Sequence, residues 1–256
     1  MTRLLASVRD GEEAAAALAA GAEIIDFKDP AHGALGALPP GEIVRGIARV
    51  AGRALTSATA GDWQLEPGAL VAAAARIGAT GVDYVKLGLL PGVALPACIR
   101  ELRSVARRFR LVAVFFADRG VPFAALASLR AAGFAGAMID TAEKTGGGLR
   151  RHLDDAALTR FVRLAREAGL MTGLAGSLRL EDIPPLARIG PDLLGFRGAL
   201  CAAGRSSVLS AERTRLVRDA VDAALLATGE KPMPKASLSW HRGARGGVPP
   251  RIVKTS

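Results

Sequence analysis

The sequence predicts an α/β fold, a (β/α)8 barrel of the TIM type with a flexible basic C-terminal tail. Three observations predict it. Eight short apolar runs recur along the chain, and each leads into an Ala/Leu/Arg-rich amphipathic stretch. The runs lack clean polar alternation, which marks strands buried on both faces, and parallel neighbours require helical crossovers. Eight such units fit within about 225 residues, the size of one closed barrel, and no dinucleotide-type glycine fingerprint follows the first run.

In order, the expected strand at 3–8 leads to a helix at 11–20, and the strand at 23–27 to a helix at 41–50. The strand at 54–59 precedes a helix at 66–77, and that at 82–87 a helix at 95–108. The strand at 111–116 is followed by a helix at 122–132, and that at 136–140 by one at 155–168. The last two pairs are 171–175 with 181–189, and 192–196 with 210–227. Gly21, Gly78, Gly133 and Gly169 stand where C-terminal caps belong. After Gly229 the chain shifts to Lys-Pro-Met-Pro-Lys and Arg-Gly-Ala-Arg-Gly-Gly-Val-Pro-Pro without apolar periodicity. The expected organisation is therefore a catalytic barrel over 1–229 and a Pro/Gly-rich tail over 230–256.

Composition excludes several classes. With 50% hydrophobic and 23% charged residues, the chain buries a core and is not disordered over most of its length. Cys98 and Cys201 supply neither a disulfide framework nor a zinc ribbon. No stretch reaches 18 uninterrupted apolar residues and no cleavage signal follows the N-terminal run, so a soluble cytoplasmic protein is expected. Of the net charge of +10, residues 231–256 carry +6, leaving +4 for the rest. That suits anionic small molecules better than nucleic acid, since aromatics make up only 4% of the chain. His32, His152 and His241 lack metal-ligand spacing, and no Walker loop, Gly-x-Ser-x-Gly elbow or Cys-x-x-Cys is present. The expectation is an enzyme with no cofactor and no metal, whose partners are a phosphorylated small molecule and further copies of the same chain.

In a barrel the chemistry sits where strands end. The chain has 34 basic residues but only six lysines, and three of those are in the tail. The other three, Lys28, Lys86 and Lys144, follow the second, fourth and sixth strands. An arginine is permanently charged, whereas a buried amine crowded by other cations loses its proton and attacks a carbonyl. Asp26 and Lys28 are two residues apart and face the same way, with Phe27 opposite. Asp140 closes the sixth strand beside Lys144. Together these residues form the set a Schiff-base enzyme needs, or else a ring of ion pairs that stiffens the barrel mouth. The loop carrying Gly146, Gly147, Gly148, Arg150, Arg151 and His152 has the composition of a lid or of a plain flexible surface loop. Gly176 and Ser177 after the seventh strand, and Arg197 and Gly198 after the eighth, mark the usual phosphate end of a barrel. Cys201 is read as a buried, inert thiol.

Six segments resemble those of the (5-formylfuran-3-yl)methyl phosphate synthase family. They are Ile24 to Pro30 with Gly33-Ala34-Leu35-Gly36, Thr56 to Asp62, Gly81 to Gly88, Met138 to Lys144, Leu174 to Leu178 and Arg197 to Cys201. The resemblance covers residues 3–225 in order. It implies a cofactor-independent barrel enzyme, a lyase that condenses two molecules of glyceraldehyde 3-phosphate into a phosphorylated furan aldehyde for methanofuran-type one-carbon carriers. It also implies that Lys28 forms the Schiff base, that Lys86 accepts the proton, and that Asp26, Asp140 and Lys144 complete the active site. Phe27 is larger than the aliphatic residue the family pattern suggests, and the tail is an extension. Two alternatives stand beside this reading: a Schiff-base aldolase acting on another phosphosugar, and a non-enzymatic barrel that binds nucleic acid through its tail.

Overall fold

The computed structural model describes residues 2–61 and 66–229; the expected tail lies outside them. Eight parallel strands close in sequence order, with β8 pairing back onto β1. The elements run β1 (Arg3–Val8), α1 (Gly11–Ala19), β2 (Ile24–Phe27), α2 (Pro40–Val50), β3 (Leu55–Thr59) and α3 (Pro67–Gly78). Next come β4 (Tyr84–Gly88), α4 (Leu95–Ala106), β5 (Leu111–Phe116), α5 (Ala125–Ala131) and β6 (Gly136–Asp140). The chain continues through α6 (Leu149–His152), α7 (Asp155–Glu167), β7 (Met171–Leu174), α8 (Ile183–Ile189), β8 (Leu193–Phe196) and α9 (Ala211–Ala227). This is the expected TIM barrel, and no helix among the described residues is long and apolar enough to cross a membrane.

Local chemistry explains where helices begin. The side chains of Asp10 and Asp154 accept from Glu13 N and Ala157 N at 2.8 and 2.7 Å, and so cap α1 and α7. Ser210 caps α9 through Arg213 N at 3.3 Å. Prolines open α2, α3, α4 and α8, where a missing N–H costs nothing.

Alternate strand residues divide the apolar material into two cores. Ile25, Phe27, Val85, Leu87, Phe115 and Ile139 point outwards under the helices. Leu5, Ile24, Tyr84, Val112, Val114 and Leu193 fill the barrel interior. Phe27 packs against α2 where that helix carries glycine: a Cβ on Gly46 would lie 2.2 Å from the ring. The large residue in the Asp-Phe-Lys triplet is thus housed outside the barrel, as its position in the strand predicts.

Most element ends shift by one or two residues from the sequence reading, and four features depart from it in kind. Gly78 does not cap α3 but is its last residue, and it is glycine because the Phe109 ring leaves no room for a Cβ. Gly81 makes the left-handed turn three residues later, with φ +89°. α5 starts at Ala125 rather than 122, and the expected helix at 181 opens as a 3-10 turn over Leu180–Asp182 before α8. The loop read as a lid contains α6, which is too short to carry a helical period.

Candidate active site

The polar layer lies at the C-terminal end of the barrel and is built by strand register. Asp26 on β2 is paired with Ser7 on β1 and Ser57 on β3, which brings three side chains into one row. Asp26 accepts from Ser7 Oγ at 3.0 Å and from Ser57 Oγ at 2.6 Å. Lys86 on β4 adds its Nζ at 2.8 Å, closing a fully buried Asp26–Lys86 pair.

Lys28 leaves β2 along the same ladder, its N–H donating to Val8 O at 2.9 Å. Among the described residues its Nζ meets only the Ala34 carbonyl, at 3.4 Å, whereas Lys86 and Lys144 each bond a carboxylate. The loop supplying that carbonyl is fastened by Asp29 N to Gly36 O at 2.8 Å and by Thr59 Oγ1 to the same oxygen at 2.7 Å. A Cβ on Gly36 would lie 2.1 Å from His32 O, which accounts for the final glycine of Gly33-Ala34-Leu35-Gly36.

Asp140 ends β6 and accepts from Lys144 Nζ and from Thr141 N, both at 2.7 Å. Lys144 also donates to Thr141 O. The segment carrying Lys144 is held by Asp118, whose carboxylate takes the N–H groups of Ala142 and Glu143 at 2.8 Å each. At its far end, Leu149 N donates to Gly176 O at 2.9 Å, which pins α6 to the β7 end.

Burial pushes the Lys28 ammonium down, and the charges of Lys86 and Lys144 push it further. Asp140 and Asp26 oppose them, and the balance leaves it at about 8. Burial alone would raise the Asp140 carboxyl, but Lys144 and Lys28 outweigh it and hold the group at about 2. Asp26 is likewise held below its ordinary value, as Lys86, Lys28 and the Ser57 hydroxyl outweigh desolvation. The site therefore contains two anions and one amine with a lowered affinity for its proton.

A cavity of about 360 Å³ opens over this layer, with Lys28, Lys86, Asp140 and Lys144 on its wall. Asp26 lies beneath it, fully buried. Gly176, Ser177, Arg197 and Gly198 border the cavity on the β7 and β8 side. Gly176 has φ +113°, and a Cβ there would meet Thr141; Ser177 adopts φ +48°, a conformation unusual for a side-chain-bearing residue.

Arg197 departs from its expected role as a charged fork for phosphate. Its Nη1 and Nη2 bond Glu13, its Nε donates to Arg205 O at 2.8 Å, and the remaining protons go to Ser7 O at 3.2 Å and Ser207 O at 2.9 Å. All five guanidinium N–H groups are thereby occupied within the protein. Cys201 is buried, its thiol pushed up by that burial and directed at Arg197 O. Sequence reasoning missed Ser7, Ser57, Asp118 and Glu13. The two serines were recoverable by aligning the strand ends on Asp26; the other two depend on loop contacts with no local signal.

The family model described as 4-HFC-P synthase matches residues 4–218. A Methylorubrum extorquens protein that carries the name (5-formylfuran-3-yl)methyl phosphate synthase in provisional form is 50% identical over 222 residues, covering 86% of this chain and 91% of that protein. The (5-formylfuran-3-yl)methyl phosphate synthase of Methanosarcina mazei is 36% identical over 222 residues, covering 82% and 95% of the two chains. Among solved structures, the phosphoribosyl anthranilate isomerase of Thermus thermophilus superposes with a TM-score of 0.61 at 16% identity, covering 89% of this chain and all of that one; this likeness is one of fold. Sequence relatives and family match together make this chain an enzyme of the 4-HFC-P synthase family, the (5-formylfuran-3-yl)methyl phosphate synthases.

Proposed function

We propose that this enzyme condenses two molecules of glyceraldehyde 3-phosphate into (5-formylfuran-3-yl)methyl phosphate through a Schiff base on Lys28. The observation that carries the reading is the contrast among the three lysines. Among the described residues Lys86 and Lys144 each bond a carboxylate, and Lys28, buried near both, bonds none and has the lowered proton affinity that a nucleophilic amine requires. Membership in the synthase family supports the same product.

In this mechanism the neutral Lys28 amine adds to the carbonyl of the first triose and, with one proton donated by the Lys86 ammonium, expels water and leaves an iminium. The positive nitrogen acidifies the neighbouring C–H, and Lys86, neutral after giving up its proton and steadied by Asp26, takes that proton. The enamine carbon then attacks the aldehyde carbon of the second triose and forms the new C–C bond. Ring closure and hydrolysis of the imine return Lys28. By atom balance one inorganic phosphate and two waters leave in all, with no change of oxidation state overall. Asp140 and Lys144 flank the amine and move or hold protons as the eliminations proceed. Gly176, Ser177 and Gly198 offer a phosphate its place at the strand ends, and Arg197 acts from behind them.

The test is incubation with glyceraldehyde 3-phosphate, borohydride trapping and peptide mass spectrometry, with ultraviolet spectra of an untrapped sample. An adduct on Lys28 with a growing furan band is expected. An adduct without the band would mean an aldolase of another phosphosugar, and neither signal would remove the Schiff base from the account.

A further inference from the structure

The cavity wall on the β8 side is formed by the segment from Gly198 to Leu209. It turns back on itself through bridges between Cys201 and Leu209 and between Ala202 and Gly204. Gly198, Ala199, Gly204 and Arg205 of this segment face the cavity. Leu200 and Leu209 anchor its two ends in the apolar core, but the stretch 202–208 between them is not buried, so polar contacts must fix its shape.

The Glu13–Arg197 pair does so. Both side chains are almost fully buried. Arg197 holds the carbonyls of Arg205, Ser207 and Ser7. Glu13 accepts from Leu209 N at 3.1 Å and from Arg9 N at 3.0 Å, as well as from Arg197 itself. Five backbone groups from the end of β1, the turn that follows it and the 205–209 turn are thus tied to one ion pair. Ser7 links it to the chemistry, because its carbonyl is held by Arg197 while its hydroxyl holds Asp26. From the same turn, Arg205 reaches across the mouth to Gly33 O at 3.1 Å, on the loop that follows Lys28.

We infer that Glu13 and Arg197 are positioning residues for anion binding: the pair sets the 198–209 segment against β1, so that its cavity-facing backbone and Arg205 stand where a substrate phosphate arrives. The inference rests on the proposed phosphorylated substrate. A purely stabilising role is the less economical account. Apolar residues of similar size stabilise a buried position as well as an ion pair does, and only a paired fork and carboxylate can bond five backbone groups at once.

The test compares wild type with R197K, which keeps the charge but not the fork, and E13Q, which keeps the shape but not the charge. Binding of inorganic phosphate is measured by titration calorimetry, and turnover of glyceraldehyde 3-phosphate by the furan band. Both variants are expected to weaken phosphate binding at least ten-fold and to raise KM by a similar factor, with a smaller change in kcat. Trapping of unphosphorylated glyceraldehyde on Lys28 should proceed at the wild-type rate. A fall in melting temperature with phosphate affinity and KM at wild-type values would overturn the inference, as would a loss confined to kcat. If R197K does not fold, E13Q carries the test. Should wild type make no furan, the substrate reading fails while the phosphate titration still decides the role of the pair.

Discussion

In the proposed mechanism the chemistry turns on Lys28, and the environment of that residue makes quantitative demands. Its affinity for a proton is lowered to about 8, mainly by burial, so the nucleophilic neutral form grows as pH rises through that value. kcat/KM is therefore expected to rise along a single ionisation near pH 8 and then level off, as a pH–rate profile would record. Replacing Lys144 with Gln removes one nearby cation and frees Asp140, and both changes favour the protonated amine. The rising limb should move to higher pH in that variant, and an unmoved limb would mean that Lys28 does not set it. Lys28→Arg keeps a cation but no nucleophile, so furan formation should fall to background while circular dichroism stays native. At this scale the lysines were legible because the folded part of the chain uses Lys so rarely. Arg197 was misread because its partner, Glu13, is 184 residues away in sequence, and nothing in the Arg197 neighbourhood announces it.

Helices and loops decide whether those side chains arrive together. Asp118, in the turn after β5, grips two N–H groups of the segment that carries Lys144. Asp118→Asn keeps one acceptor oxygen, so the segment should loosen; a loss of about 1–3 kcal/mol in unfolding free energy and a several-fold lower kcat are expected from denaturant titration and kinetics. Under β2, Gly46→Ala drives a methyl into the Phe27 ring and should cost about 1–3 kcal/mol. Adding Phe27→Leu makes room, and the double variant should recover most of the loss. The strands were legible to within a residue or two because an apolar run between turn residues has few other uses. α6 was not, since four residues hold too little periodicity to register. Gly78 was misjudged for a similar reason: a glycine that makes room for a ring looks, in one dimension, the same as one that turns a corner.

The molecule as a whole is a ring of eight strands with a polar layer at one end. Among the described residues, every polar residue of that layer lies between Ser7 and Arg205. Removal of residues 230–256 should leave kcat/KM for the triose phosphate within about two-fold of the intact chain, and a larger loss would place functional residues there. Ring closure itself rests on the pairing of Arg3 to Ala6 with Leu193 to Phe196, and the Glu13–Arg197 pair straddles the same seam. On the ribosome, the first strand emerges with one edge bare and must wait for the last. At ordinary synthesis rates that interval is roughly 10 to 40 seconds. For that time the nascent protein is an open sheet with an apolar margin, so the step most exposed to aggregation in the cell is the arrival of β8, and a pause just before it would be the costliest place for translation to stall.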